Sequence, residues 1–105
     1  MAQFDVFKNT NKNTKKLYPY LIELQCDFLR DLQTTVVVPL SPQKDYQGTP
    51  LSNLHPVIKI SNKNHVTMMT LIAGIERSIL GEKVTSVTQH RDSLISAMDF
   101  MITGT

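Results

Sequence analysis

From Thr34 to Leu40 the chain reads Thr-Thr-Val-Val-Val-Pro-Leu, with β-branched or apolar side chains on both faces of any extended segment. Such a run suits a strand buried on both sides, so it needs strand neighbours and a covering layer. Pro39 lacks a ladder donor and marks an edge or a bulge. The 105 residues are 41% hydrophobic, enough for one buried core, and a single domain over residues 1–105 is expected. Disorder and coiled coil fit this composition poorly.

The other elements arrange themselves around that strand. Gln3 to Phe7 alternates, and from Leu17 to Cys26 period two sends Tyr18, Tyr20, Ile22, Leu24 and Cys26 to one side. These two strands form a hairpin across the Lys8 to Lys16 loop, with Cys26 expected as a small core side chain. Residues 41 to 55 are expected to form one long excursion. Pro56 to Ile60 and His65 to Thr70 read as a second hairpin, turning at Ser61-Asn62-Lys63-Asn64. Another short strand is expected around Ser78 to Leu80. Ser86 or Thr88 can cap a helix from Gln89 to about Thr103, with Gly104 just past its last turn.

On that helix Leu94, Met98 and Met101 form a stripe, with Val87 extending it backwards, which docks on the sheet. Ile95, Asp99, Ile102 and Thr103 form an adjoining line, and Phe100 points to neither. More apolar surface results than one sheet face can cover, so a second protein surface is expected there.

Charge adds little to this picture. There are 11 Lys and Arg against 9 Asp and Glu. Lys8, Lys12, Lys15 and Lys16 lie in one acid-free stretch, so the rest of the chain holds 7 bases and 9 acids. Asn and Thr rather than aromatic residues interleave those lysines, which reads as a solvated loop and not as a nucleic-acid face. The glycines Gly48, Gly74, Gly81 and Gly104 make no phosphate loop or nucleophile elbow. His55, His65 and His90 lie in three separate elements, which argues against a metal site. Pairs such as His90 with Asp92, or Glu76 with Arg77, read as helix-start and loop charges rather than acid/base machinery. No cofactor is expected. The apolar runs are too short to cross a bilayer and no leader-like series opens the chain, so a soluble cytoplasmic protein is expected.

Several segments, taken in order, carry a resemblance: Gln3-Phe4, Leu24-Gln25-Cys26-Asp27-Phe28-Leu29, Val36 to Leu40, Leu54 to Ile60, Met68-Met69-Thr70, Gly81 to Val84, and His90-Arg91 through Gly104. Their spacing resembles that of the CcdB family, bacterial toxins of toxin–antitoxin pairs that poison DNA gyrase. The resemblance implies a mainly β fold with a C-terminal α-helix, an SH3-like β-barrel working as a homodimer. It implies binding to the gyrase A subunit and trapping of the enzyme on cleaved DNA, without catalytic residues of its own. The family's gyrase contacts fall here on Phe28, Leu29, Asp99, Ile102, Thr103, Gly104 and Thr105. A cognate antitoxin with a disordered C-terminal tail is the other implied partner, with the 41 to 55 region a candidate for its contacts.

Three departures are legible. The family pattern ends in an aromatic residue, glycine and an aliphatic residue, whereas this chain ends Thr103-Gly104-Thr105. A large apolar anchor at a hot spot contributes about 2 to 4 kcal/mol, so its loss predicts a weaker grip. Phe28-Leu29 replaces two aliphatics, and Leu71 to Glu76 is one residue shorter than the pattern. The alternatives are therefore a homologue with weakened gyrase binding, or an mRNA-cleaving endoribonuclease toxin on the same barrel.

Overall fold

The computed structural model describes residues 2–48, 51 and 53–104. Its seven strands are β1 (Asp5–Asn9), β2 (Tyr20–Glu23), β3 (Thr34–Pro42), β4 (Val57–Ile60), β5 (Lys63–Thr67), β6 (Ala73–Glu76) and β7 (Leu80–Ser86), followed by helix α1 (Arg91–Thr103). All pairings are antiparallel, and the sheet runs β4-β5-β3-β2-β1-β7 with β6 added to β3, forming a half-barrel.

Strand β3 organises the sheet as its two-faced apolar run demands. One edge pairs with β2, from Tyr20 opposite Leu40 to Glu23 opposite Val37. The other is shared by β5, opposite Leu40 to Pro42, and by β6, opposite Thr34 to Val37. Pro39 sits in neither of those two stretches, and its carbonyl accepts from Met68 N at 2.9 Å. Since a residue's N–H and C=O face the same neighbour in a strand, the donor that Pro39 lacks would point into the gap between β5 and β6. Proline is thus tolerated inside a central strand, a third solution besides edge and bulge.

Val6, Ile22, Val38 and Leu40 share one face, and Leu94 and Ala97 of α1 complete the core there with Phe4, Ile58, Ile60, Met69 and Val87. Leu94 and Val87 take the expected inward places. Met98 and Met101 are half-buried at the core's margin, while Ala97, small enough to let helix and sheet approach, is fully buried. The opposite face buries Leu21, Val37 and Pro39 beneath the β1–β2 loop. Phe4 enters this core with a left-handed backbone (φ 70), held by its N–H on Glu23 O at 2.7 Å and by Val87 N on its own carbonyl at 2.9 Å.

Several expectations are corrected by the fold. Cys26 is exposed, because the chain leaves the sheet after Glu23 and Asp27–Leu29 forms a 3₁₀ turn. Ser41 and Pro42 continue β3, so the excursion begins later, at a 3₁₀ turn over Gln43–Asp45. The second hairpin turns on Ser61 and Asn62 alone, both with positive φ, and Lys63 and Asn64 already belong to β5. That is the twisted two-residue turn that right-handed strands favour. Strand β6 lies at Ala73–Glu76, whereas Ser78 and Ile79 fall in a 3₁₀ turn and Leu80 opens β7. Among the described residues no side chain caps α1; a 3₁₀ turn over Thr88–His90 leads into it, and the Ser86 and Thr88 hydroxyls bond each other at 2.8 Å. Gly104 closes the helix as expected, with φ 76 and its N–H on Phe100 O at 2.8 Å.

Candidate partner-binding surface

Two exposed apolar groups stand out on different elements. The first is the connection between β2 and β3, where Phe28 is 98%, Leu29 44% and Leu32 49% exposed. Exposed residues of that size in one short segment are uncommon on a surface with no partner. The second is the end of α1. Its Leu94 and Ala97 side turns inward, which leaves Ile102 75% exposed and Asp99 and Thr103 beside it in solvent. The Thr103 hydroxyl donates to Asp99 O at 2.7 Å, bonding back one turn. Gly104 is exposed at the cap, and Thr105 lies outside the described residues. The helix lies against the 3₁₀ turn at Met69–Leu71 and the sheet core. The two groups therefore belong to separate elements of one chain.

The β2–β3 connection is tied down by polar contacts that sequence reading missed. Glu23, on β2, is buried within the sheet and accepts from Thr35 Oγ1 at 2.6 Å. Arg77 follows β6, which lies one strand beyond β3, and its Nη1 reaches the same carboxylate oxygen at 2.6 Å. Its Nε donates to Leu32 O at 2.7 Å and its Nη2 to Leu29 O at 3.3 Å. Asp27 accepts from Gln3 N at 2.8 Å, and Gln25 Nε2 donates to Leu29 O and Thr34 O. Arg77 is thus partnered with Glu23 and not with its neighbour in sequence, Glu76. A lone acid in a strand otherwise reading as apolar was the available signal.

The basic loop is ordered from within. Asn9 Nδ2 donates to Thr14 Oγ1 at 3.0 Å and to Tyr18 O at 2.8 Å, and Asn11 Oδ1 accepts from Asn13 N. Lys8 pairs with Glu82 at 3.4 Å, and Lys12, Lys15 and Lys16 are exposed. Beneath the loop runs an apolar groove of about 230 Å³, lined by Leu21, Val37, Pro39, Leu71 and Ile75 among others.

The histidines stay apart in chemistry. His65 is buried edge-on to Tyr20, with ring centroids 5.2 Å apart, and its Nδ1 contacts Lys63 O at 2.9 Å. Burial lowers its pKa, opposed by that carbonyl, and the Lys63 charge lowers it further. His55 lies edge-on to Tyr46 at 5.9 Å. Among the described residues, no three His, Cys, Asp or Glu side chains come together as metal ligands, and no helix is long and apolar enough to cross a membrane.

The family model described as CcdB protein matches residues 3–104. Among solved structures, one of an endoribonuclease in complex with its cognate antitoxin, from a mycobacterial species, superposes with a TM-score of 0.76 over 97% of this chain and 94% of that one. The two sequences are 10% identical, so this likeness shows a shared fold.

Proposed function

Because the chain belongs to the CcdB family, a family of toxin–antitoxin toxins, we propose that it is a toxin that binds the DNA gyrase A subunit and holds the enzyme on cleaved DNA. The observation that carries this reading is the pair of exposed apolar groups, Phe28 and Leu29 on one loop and Ile102 at the end of α1. Each offers side chains that gain by leaving water. Asp99, Thr103 and Gly104 form the polar rim of the second group in this reading, and Thr105, outside the described residues, is the remaining gyrase contact it assigns.

The protein acts by binding and not as an enzyme. Its most tightly built acid–base cluster, Glu23 with Arg77 and Thr35, is closed on itself: the carboxylate is buried, and the guanidinium is spent on Glu23 and two loop carbonyls. A general acid or base needs an open line to substrate, and this cluster holds a loop instead. Two copies pair through the half-buried apolar positions Ile95, Met98 and Met101 of α1, giving a cytoplasmic homodimer. The toxin of the structural neighbour was captured with its antitoxin, and a cognate antitoxin is the second partner in this reading.

Titration calorimetry of the purified protein against the gyrase A subunit tests the reading, with an RNA incubation alongside. Saturable binding and intact RNA are expected; RNA cleavage with no gyrase binding would replace this function by the endoribonuclease one.

A further inference from the structure

We propose that Arg77 is a positioning residue for the partner-binding loop, presenting Phe28, Leu29 and Leu32 together as a preformed apolar tripod; this rests on the functional reading above and adds Leu32 and Arg77 to the surface.

A ten-residue connection running over the surface is ordinarily the mobile part of a sheet protein. This one, from Leu24 to Gln33, is held from both sides instead. Arg77 alone makes four of the contacts: Nε to Leu32 O, Nη2 to Leu29 O, Nη1 to Glu23, and its backbone N–H to Gln33 O at 2.8 Å. Gln25 and Gln3 add bonds to Leu29 O, Thr34 O and Asp27 Oδ1. Two of the carbonyls that Arg77 grips belong to Leu29 and Leu32 themselves. The bonds fix the backbone of residues whose side chains remain in water.

A loop that had to hide these side chains would turn them inward, and nothing in its bonding does so. Fixing them outward removes part of the ordering cost of binding before the partner arrives. The task requires arginine. A planar guanidinium serves several acceptors in one rigid fork, whereas a lysine ammonium can neutralise Glu23 but does not span the carboxylate and both carbonyls together.

The test uses the full-length protein. Arg77→Lys keeps a cation for Glu23, and Glu23→Gln keeps the guanidinium's grip on the loop. Affinity for the gyrase A subunit is expected to fall about fivefold or more in Arg77→Lys, and to fall less in Glu23→Gln, where the fork keeps both carbonyls. Amide exchange at residues 27–33 is expected to accelerate in Arg77→Lys and stay at the parental rate in Leu32→Ser, which should weaken gyrase binding by direct loss of contact. Unchanged melting temperatures would show that the domain itself is intact. Parental exchange at 27–33 in Arg77→Lys, or undiminished binding by that variant, would overturn the proposal. A parent protein that ignores gyrase would contradict the functional reading instead, and the exchange measurement would still decide whether Arg77 sets the loop.

Discussion

Arg77 and Glu23 are 54 positions apart in sequence, yet a guanidinium nitrogen and a carboxylate oxygen meet at 2.6 Å, with the acid sealed in the sheet. The pair ties the turn after β6 to two strands, because Glu23, on β2, also accepts from Thr35 on β3. A buried carboxylate that loses its cation keeps its desolvation penalty and loses the compensation. Arg77→Met is therefore expected to lose about 3 to 5 kcal/mol, read as a lower urea midpoint. Replacing Glu23 and Arg77 together by Gln and Met should cost less than Arg77→Met alone, which a double-mutant cycle would show.

The seam between β1 and β7 gives a second expectation. A Cβ at Gly81 would lie 2.8 Å from Lys8 O and 2.9 Å from Thr10 Cγ2, and Thr10 itself donates to Ile79 O across the same seam. Gly81→Ala must push backbone apart and should destabilise by about 1 to 3 kcal/mol. Gly74→Ala is the control: among the described residues nothing lies within 4 Å of its would-be Cβ. Thermal melts of the two variants should separate clearly.

His65 predicts a pH dependence. Its folded pKa lies below the ordinary 6.5, chiefly because burial disfavours the charged ring. The unfolded chain then binds the proton more readily, so stability is complete above about pH 6.5 and declines as pH falls from there through the lower folded value. Urea midpoints measured at pH 7.5 and at about pH 5.5 should show a loss in the parent. His65→Gln should lessen that slope; an unaltered slope would mean that other groups carry it.

The helix separates stability from recognition. Leu94 is fully buried, and Leu94→Ala should cost about 2 to 5 kcal/mol. Met101 is half-buried, so Met101→Asp is expected to cost less than a core charge would, and it should weaken the proposed self-association. Asp99→Arg and Ile102→Ser lie in solvent, and surface changes of this kind usually stay within about 0.5 kcal/mol. They should leave the melting temperature in place while lowering gyrase affinity.

Much of this was legible in the sequence because period and burial agree. The Thr34 to Leu40 run declared a two-faced strand, and the Leu94 stripe with Gly104 declared a docked helix and its end. Strands β6 and β7 were harder to read: Ala73–Glu76 is short and mostly exposed, and Leu80–Ser86 buries no residue fully, so polar residues blur the alternation. Cys26 was misplaced because period two was carried past Glu23, where the chain leaves the ladder. Glu23, a lone acid in an apolar strand, signalled a buried partner, but nothing local to either residue names Arg77 as that partner. For the candidate surface, the exposed line on α1 followed from helical angle. Phe28 and Leu29 came from family resemblance alone, because an exposed phenylalanine has no periodic signature.

The most direct measurement is a plasmid cleavage assay with purified gyrase, DNA and ATP, with and without this protein. Linear, gyrase-linked DNA is expected to accumulate as protein is added, and Asp99→Arg is expected to abolish it without unfolding the chain. Unaltered gyrase turnover at saturating protein would contradict it.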